Sequence, residues 1–211
     1  MKVSTKSDKF LWIGNDPAID FVNTWIVHQG LEVDLLAQPG DLLEWLCGSE
    51  MLNDQALKDI KNSFSGSQLE RALSGAKDYR TTLRTALQNL SEHGTLQRKA
   101  LEDTNRLLRE PRIAFALSNT EQGSQLRQKW TVGQAEDVFR PIALAFARLI
   151  TSQDLSRIRK CQNPECVLFF LDTSKSGTRT WCSMNICGNK LRIAAFRRRQ
   201  GERRHKKTRG Q

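Results

Sequence analysis

Four of the five cysteines in this chain stand as two matched pairs, Cys161-x4-Cys166 and Cys182-x4-Cys187, with fifteen residues between the pairs. Four soft thiolates joined by so short a connection suit tetrahedral zinc in a closed structural site. Cys161, Cys166, Cys182 and Cys187 are therefore the expected ligands of one structural Zn²⁺. Disulfides or unrelated buried thiols are the competing readings, and the reducing cytoplasm expected for this chain disfavours them. Cys47 has no partner nearby and reads as a small buried hydrophobe.

The second pair runs directly into cations. After Gly188 there are ten Lys and Arg against a single acidic residue, Glu202. From Arg157 to Gln211 the count is fifteen basic against three acidic residues, a net +12, which leaves −2 for residues 1–156 out of the total of +10. Four thiolates with one Zn²⁺ reduce the loaded C-terminal part to about +10, still a strong attractor for polyanions. The expected nucleic-acid contacts are Arg179, Asn189, Lys190, Arg192, Arg197, Arg198, Arg199, Arg203 and Arg204. Phosphate contact is the expected role, with one or two Arg reaching base edges. The plain alternative is a solvated charged tail.

Such a site needs elements that bring the two pairs together. Asn163-Pro164 favours a turn that puts Cys161 and Cys166 on one side. Residues 167–171 read as a strand, 172–177 as a turn and 178–181 as the return strand, which carries the chain back to Cys182 and Cys187. A helix is expected from Gly188, with Leu191, Ala194 and Ala195 forming a narrow apolar stripe that packs on the hairpin. Lys190 and Arg197 share one face of it, as do Arg192 and Arg199. Knuckle, hairpin, knuckle, helix is the order of a treble-clef zinc finger.

Upstream, the chain reads as mostly helical. Asp16 before Pro17 caps a first helix, Pro39-Gly40 marks a turn before a helix over 41–46, and Asn53 or Asp54 starts another. Leu69, Leu73, Ala76, Leu83, Leu87 and Leu90 recur at three- and four-residue steps, so 67–90 is a long amphipathic helix with Arg71, Lys77, Arg80 and Arg84 between the apolar positions. A further helix precedes Pro111, and 113–118 with 126–132 form a β-hairpin. Residues 135–150 return to helical period, with Pro141 a kink or an early turn, and a short helix over 154–159 delivers the chain to Cys161. The expected fold class is α+β: a mostly α-helical N-terminal domain (1–156) with a small β-hairpin, a treble-clef-like zinc finger (157–200) and a basic disordered tail (201–211).

Little else in the sequence suggests chemistry. His28, His93 and His205 match no metal or triad spacing, phosphate-cradling Gly-rich loops are absent, and no nucleophile–base constellation supports an enzyme. Asp20 and Asn23, three apart on the first helix, could line a pocket, but such residues more often cap or brace a helix. No segment approaches the roughly 20 apolar residues of a membrane span, and no apolar run near Met1 resembles a signal peptide.

Several pieces of the sequence resemble the CGNR zinc-finger family: Cys161-Gln162-Asn163-Pro164-Glu165-Cys166, the aromatic strand before Asp172, Trp181-Cys182-Ser183-Met184 and Cys187-Gly188-Asn189-Lys190. Ile19-Asp20-Phe21-Val22-Asn23-Thr24, Pro39-Gly40-Asp41-Leu42-Leu43-Glu44-Trp45-Leu46 and Arg157-Ile158-Arg159-Lys160-Cys161 are similar to the ABATE domain usually joined to that finger. The resemblance implies a bacterial, cytoplasmic regulator of transcription linked to stress, nucleoid-associated when its finger holds double-stranded DNA. Its N-terminal domain would form a homodimer, sense a signal or contact another protein. The final Arg of the motif is Lys190 here, which keeps the charge and loses the bidentate fork, so phosphate contact is the role left to it. Two other functions fit the same residues: a finger that docks on an acidic protein, and an RNA-binding module, for which the single Tyr offers little stacking surface. A finger of this kind would unfold on loss of any one cysteine and spare the N-terminal domain.

Overall fold

Asp16 accepts the Ala18 N–H at 2.8 Å and Pro17 occupies the first turn, so a six-residue helix, α1 (Pro17–Val22), begins where the sequence places it. The computed structural model describes residues 8–109, 113–120, 123–130, 132–193, 196 and 200. After α1 the chain forms an antiparallel hairpin that the sequence reading lacks, β1 (Trp25–His28) and β2 (Leu31–Asp34), in register Trp25↔Asp34 and His28↔Leu31. Next come α2 (Pro39–Gly48), α3 (Asp54–Ser63), α4 (Gly66–His93) and α5 (Arg98–Leu108). Pro39-Gly40 is thus the first turn of α2, with Gln38 as its cap, and not a turn ahead of it. Pro fits there because its missing N–H would have no partner in a first turn. Asn53 caps α3 by accepting the Ala56 N–H at 2.8 Å, as the sequence reading expects.

The second hairpin pairs β3 (Ile113–Thr120) with β4 (Gly123–Trp130), ending two residues short of the expected strand. Residues 135–150 are two elements. A 3₁₀ turn covers Ala135–Val138, and α6 (Arg140–Ser152) starts afresh with Pro141 in its first turn, so Pro141 bends nothing. Arg140 pairs with Asp137 at 2.6 Å and donates to the Leu107 carbonyl at 2.5 Å, tying α6 to the end of α5.

Helix α4 is the spine. Its apolar face buries Leu73, Ala76, Leu83, Leu87 and Leu90 in a core shared with Ile19, Phe21, Trp45, Ile142 and Phe146. At roughly 25 cal/mol per Å² of apolar surface, each fully buried Leu contributes on the order of 2 kcal/mol. Two arginines that the sequence places on the polar side of this helix point inward. Arg80 grips Asp34 of β2 with two 2.7 Å hydrogen bonds and reaches the Thr24 hydroxyl at 2.9 Å. Four residues on, Arg84 stacks over the Trp25 ring at 4.3 Å and donates to the Val167 carbonyl at 2.6 Å. One helix face therefore holds the first hairpin and the C-terminal region together.

A candidate zinc centre

The chain enters the cysteine region as a 3₁₀ turn (Leu155–Arg157) followed by a strand, β5 (Ile158–Lys160), where the sequence pattern suggests helix to 159. β5 pairs antiparallel with β6 (Phe169–Leu171) in register Ile158↔Leu171 and Lys160↔Phe169. The Cys161 N–H continues this ladder to the Leu168 carbonyl at 2.9 Å. The first cysteine pair is consequently the tip of the hairpin, and residues 178–181, expected as the return strand, are not a strand. Upstream Ile158 is the apolar partner that buries against β6, with 1% of its surface exposed. Within the tip, Asn163-Pro164 makes the expected turn, closed by the Cys166 N–H on the Asn163 carbonyl at 2.8 Å.

The second pair uses a different device. Met184–Gly188 is one π-helical turn capped by Ser183, with the Gly188 N–H on the Ser183 carbonyl at 3.1 Å, and it brings Cys187 back beside Cys182. Gly188 leaves room for its neighbours there, since a Cβ would lie 2.5 Å from the Met184 sulfur and 3.3 Å from the Trp181 ring and would make the Met184 side chain move. Residues 189–193 continue as helix.

The four sulfurs of Cys161, Cys166, Cys182 and Cys187 all lie within 4.8 Å of one another. Cys182 stands 3.7 Å from Cys166 and 3.6 Å from Cys187. A tetrahedron built on Zn–S bonds of about 2.3 Å has edges of about 3.8 Å, so the cage fits zinc. Without an ion, the proton sharing is lopsided. Hydrogen bonds from the Cys166 and Cys182 thiols, opposed by burial, pull the Cys161 pKa down, while the same bonds push Cys166 and Cys182 up. Zinc replaces those shared protons. Around the cage, the Asn163 amide donates to the Cys187 sulfur at 3.3 Å and the Cys182 N–H to the Cys161 sulfur at 3.4 Å, orienting both ligands.

Residues 157–200 match the CGNR zinc finger, and residues 15–153 match the ABATE family, described as "Putative stress-induced transcription regulator". The chain belongs to the ABATE family. No curated protein sequence matches it. The four cysteines are the site of one structural zinc ion within its CGNR finger.

The CGNR finger is not hung from the ABATE domain by a linker alone. Asn23, buried at the end of α1, donates to the Phe169 carbonyl and accepts the Phe169 N–H, each at 2.9 Å, and so stands in for a third strand beside β6. Asp20 accepts the Gly14 N–H at 2.7 Å, and the Gly14 carbonyl takes the Leu171 N–H at 2.8 Å. Gly14 must be glycine for this approach, since a Cβ would lie 2.7 Å from Ile19 and 2.8 Å from Asp20. Asn15 donates to the Leu171 carbonyl at 3.0 Å. Asp20 and Asn23 are thus braces, the structural role the sequence favours. Ile158, Phe169 and Leu171 pack in the main core, while Phe170 faces the zinc cage.

Of the residues expected to meet nucleic acid, Arg179 is committed internally. It donates to the carbonyls of Ile13 and Trp181 at 3.0 Å each and to that of Cys182, and lies over the Phe170 ring at 4.2 Å. Burial lowers its pKa, which the neighbouring thiolates and Asp172 oppose. These bonds hold its Nε and one terminal nitrogen on backbone carbonyls, which gives it an internal bracing role. Lys190 bonds the Glu165 carboxylate at 2.5 Å, linking the first knuckle to the start of the helix in an exposed pair. Asn189 and Arg192 are exposed. Arg197, Arg198, Arg199, Arg203 and Arg204, the residues Ala194 and Ala195 of the expected stripe, and the expected disordered tail over 201–211 all lie outside the described residues. The sequence reading missed the roles of Asn163 and Arg84, whose partners are distant in the chain. Only Asn163, next to Pro164 inside the knuckle, carried a local signal. Among the described residues no helix is long and apolar enough to cross a membrane.

Proposed function

We propose that this zinc-binding regulator acts on double-stranded DNA, with the zinc cage setting the start of a cationic helix on the duplex. One observation carries the reading: the last zinc ligand, Cys187, is followed within two residues by a helix that presents Lys190 and Arg192, and the sequence after Gly188 holds ten Lys and Arg against Glu202. The contact set is Asn189, Lys190, Arg192, Arg197, Arg198, Arg199, Arg203 and Arg204. Lys190 exchanges Glu165 for a phosphate, an inexpensive swap because exposed pairs contribute only about 0–1 kcal/mol. No enzymatic activity belongs to this reading. Titration of duplex DNA over a salt series, with and without chelator, tests it. Several neutralised phosphates give a log–log slope of about −0.9 per phosphate, and chelation weakens binding. Binding indifferent to both salt and chelator rejects the proposal.

A second reading makes the finger a protein-docking module. It is favoured by four exposed apolar residues along the same segment, Met184, Ile186, Ile193 and Phe196. Partner capture that survives nuclease treatment, in the absence of duplex binding, supports this reading over the first.

A further inference from the structure

A cleft of about 600 Å³ opens between the start of α1, the α2–α3 connection and one face of α6. That volume falls within the range of small-molecule sites. Helix α6 turns Ile142, Phe146 and Leu149 into the core. Toward the cleft it presents Leu144, Ala145 and Arg148, which share a face at helical spacing. Asp16, Glu50 and Met51 line the cleft with them.

The cleft carries charges of both signs, with Glu50 and Arg148 exposed and Asp16 half-buried. Among the described residues the side chains of Arg148 and Glu50 have no hydrogen-bond or ion-pair partner, and they do not pair with each other. The Asp16 carboxylate accepts from the backbone N–H groups of Ala18 and Ile19 and makes no ion pair. Burial raises its pKa against the effect of those two bonds, a cost that a neighbouring ligand cation would offset. Half-buried Leu144, Ala145 and Met51 form the apolar surface between the charges.

Each simple ligand class leaves something unmatched. A plain anion would meet two carboxylates, a plain cation would meet Arg148, and an apolar molecule would desolvate all three charges without compensation. We infer that the cleft binds a small zwitterion of the amino-acid class, its ammonium group toward Asp16 and Glu50, its carboxylate on Arg148 and an apolar side chain over Met51, Leu144 and Ala145. The site lies outside the CGNR finger, and the inference does not rest on DNA binding.

Isothermal titration of the zinc-loaded full chain with L-leucine, L-methionine and L-phenylalanine tests it. Saturable binding of at least one is expected below about 10 mM. N-acetyl-L-phenylalanine and L-phenylalaninamide, each lacking one charge, should bind at least about tenfold more weakly than L-phenylalanine. Arg148→Ala, at an exposed position, should keep the parent circular dichroism spectrum and lose about tenfold in affinity for the acids. No saturation by any of the three acids overturns the inference. Equal binding of the capped derivatives, an unaffected Arg148→Ala variant, or binding of inorganic phosphate in their place does so as well.

Discussion

Asn23→Ala should destabilise the whole chain, because one side-chain amide serves two buried backbone groups. The Phe169 N–H and carbonyl each bond Asn23 at 2.9 Å, and both residues are 1% exposed, so water does not readily replace the lost partner. An unsatisfied buried donor or acceptor costs about 1–3 kcal/mol, which puts the pair at roughly 2–5 kcal/mol. In a chain of this length that corresponds to a fall in Tm of roughly 5–15 °C. Asn23→Asp should do no better at neutral pH, since a carboxylate accepts the N–H, offers nothing to the carbonyl and adds a buried charge. Urea unfolding followed by far-ultraviolet circular dichroism, with zinc content measured on the same samples, reads the effect. Both should shift together, because β6 connects the core to the cage. A loss below about 1 kcal/mol with zinc fully retained would refute the reasoning that Asn23 acts as a surrogate strand.

Cys182→Ser, or chelation of the wild type, should release zinc and also lower protection from hydrogen exchange in α1. Phe169 and Leu171 belong to the main core, so the expectation of a finger that unfolds alone is revised; unchanged protection in α1 would restore it. Burial raises the Asp34 pKa, but Arg80, the Leu36 N–H and Lys77 together outweigh this and hold it below the ordinary 3.8. The lowered folded value means the pair's stabilisation is complete above about pH 4 and lost as pH falls through the folded pKa. Wild type and Arg80→Met should therefore differ most at neutral pH and converge in acid, as measured by urea midpoints across pH. Arg192→Glu should keep zinc, weaken duplex binding and reduce the steepness of the salt dependence by about one to two phosphates, read by anisotropy titration.

The cysteine spacing and the cap signals at Asp16-Pro17 and Asn53 were legible because each is a local chemical requirement. The first hairpin was hidden by its turn. Gln29 and Gly30 both have positive φ, 52° and 79°, a geometry that sequence usually announces with Asn-Gly, and Gln in the first place conceals it. Arg80 and Arg84 looked like solvent-facing charges because their partners, Asp34 and the Val167 carbonyl, lie 46 and 83 residues away. β5 is three residues long, too short for a period to register, and it took the place beside β6 that the pattern gave to residues 178–181. The sequence thus located the metal and its ligands well, and the frame that holds them poorly.

The strap formed by Ile13, Gly14 and Asn15 has its partners at Arg179 and Leu171, more than 150 residues later. On a ribosome adding roughly 5–20 residues per second, these groups wait about 8–30 seconds for the strand they bond. Helices α1 to α6 can collapse in that interval, yet the edge of α1 stays open until β6 emerges, and the second pair of zinc ligands follows still later. Metal supply therefore bears on more than the finger: it bears on when residues 13–15 stop being exposed.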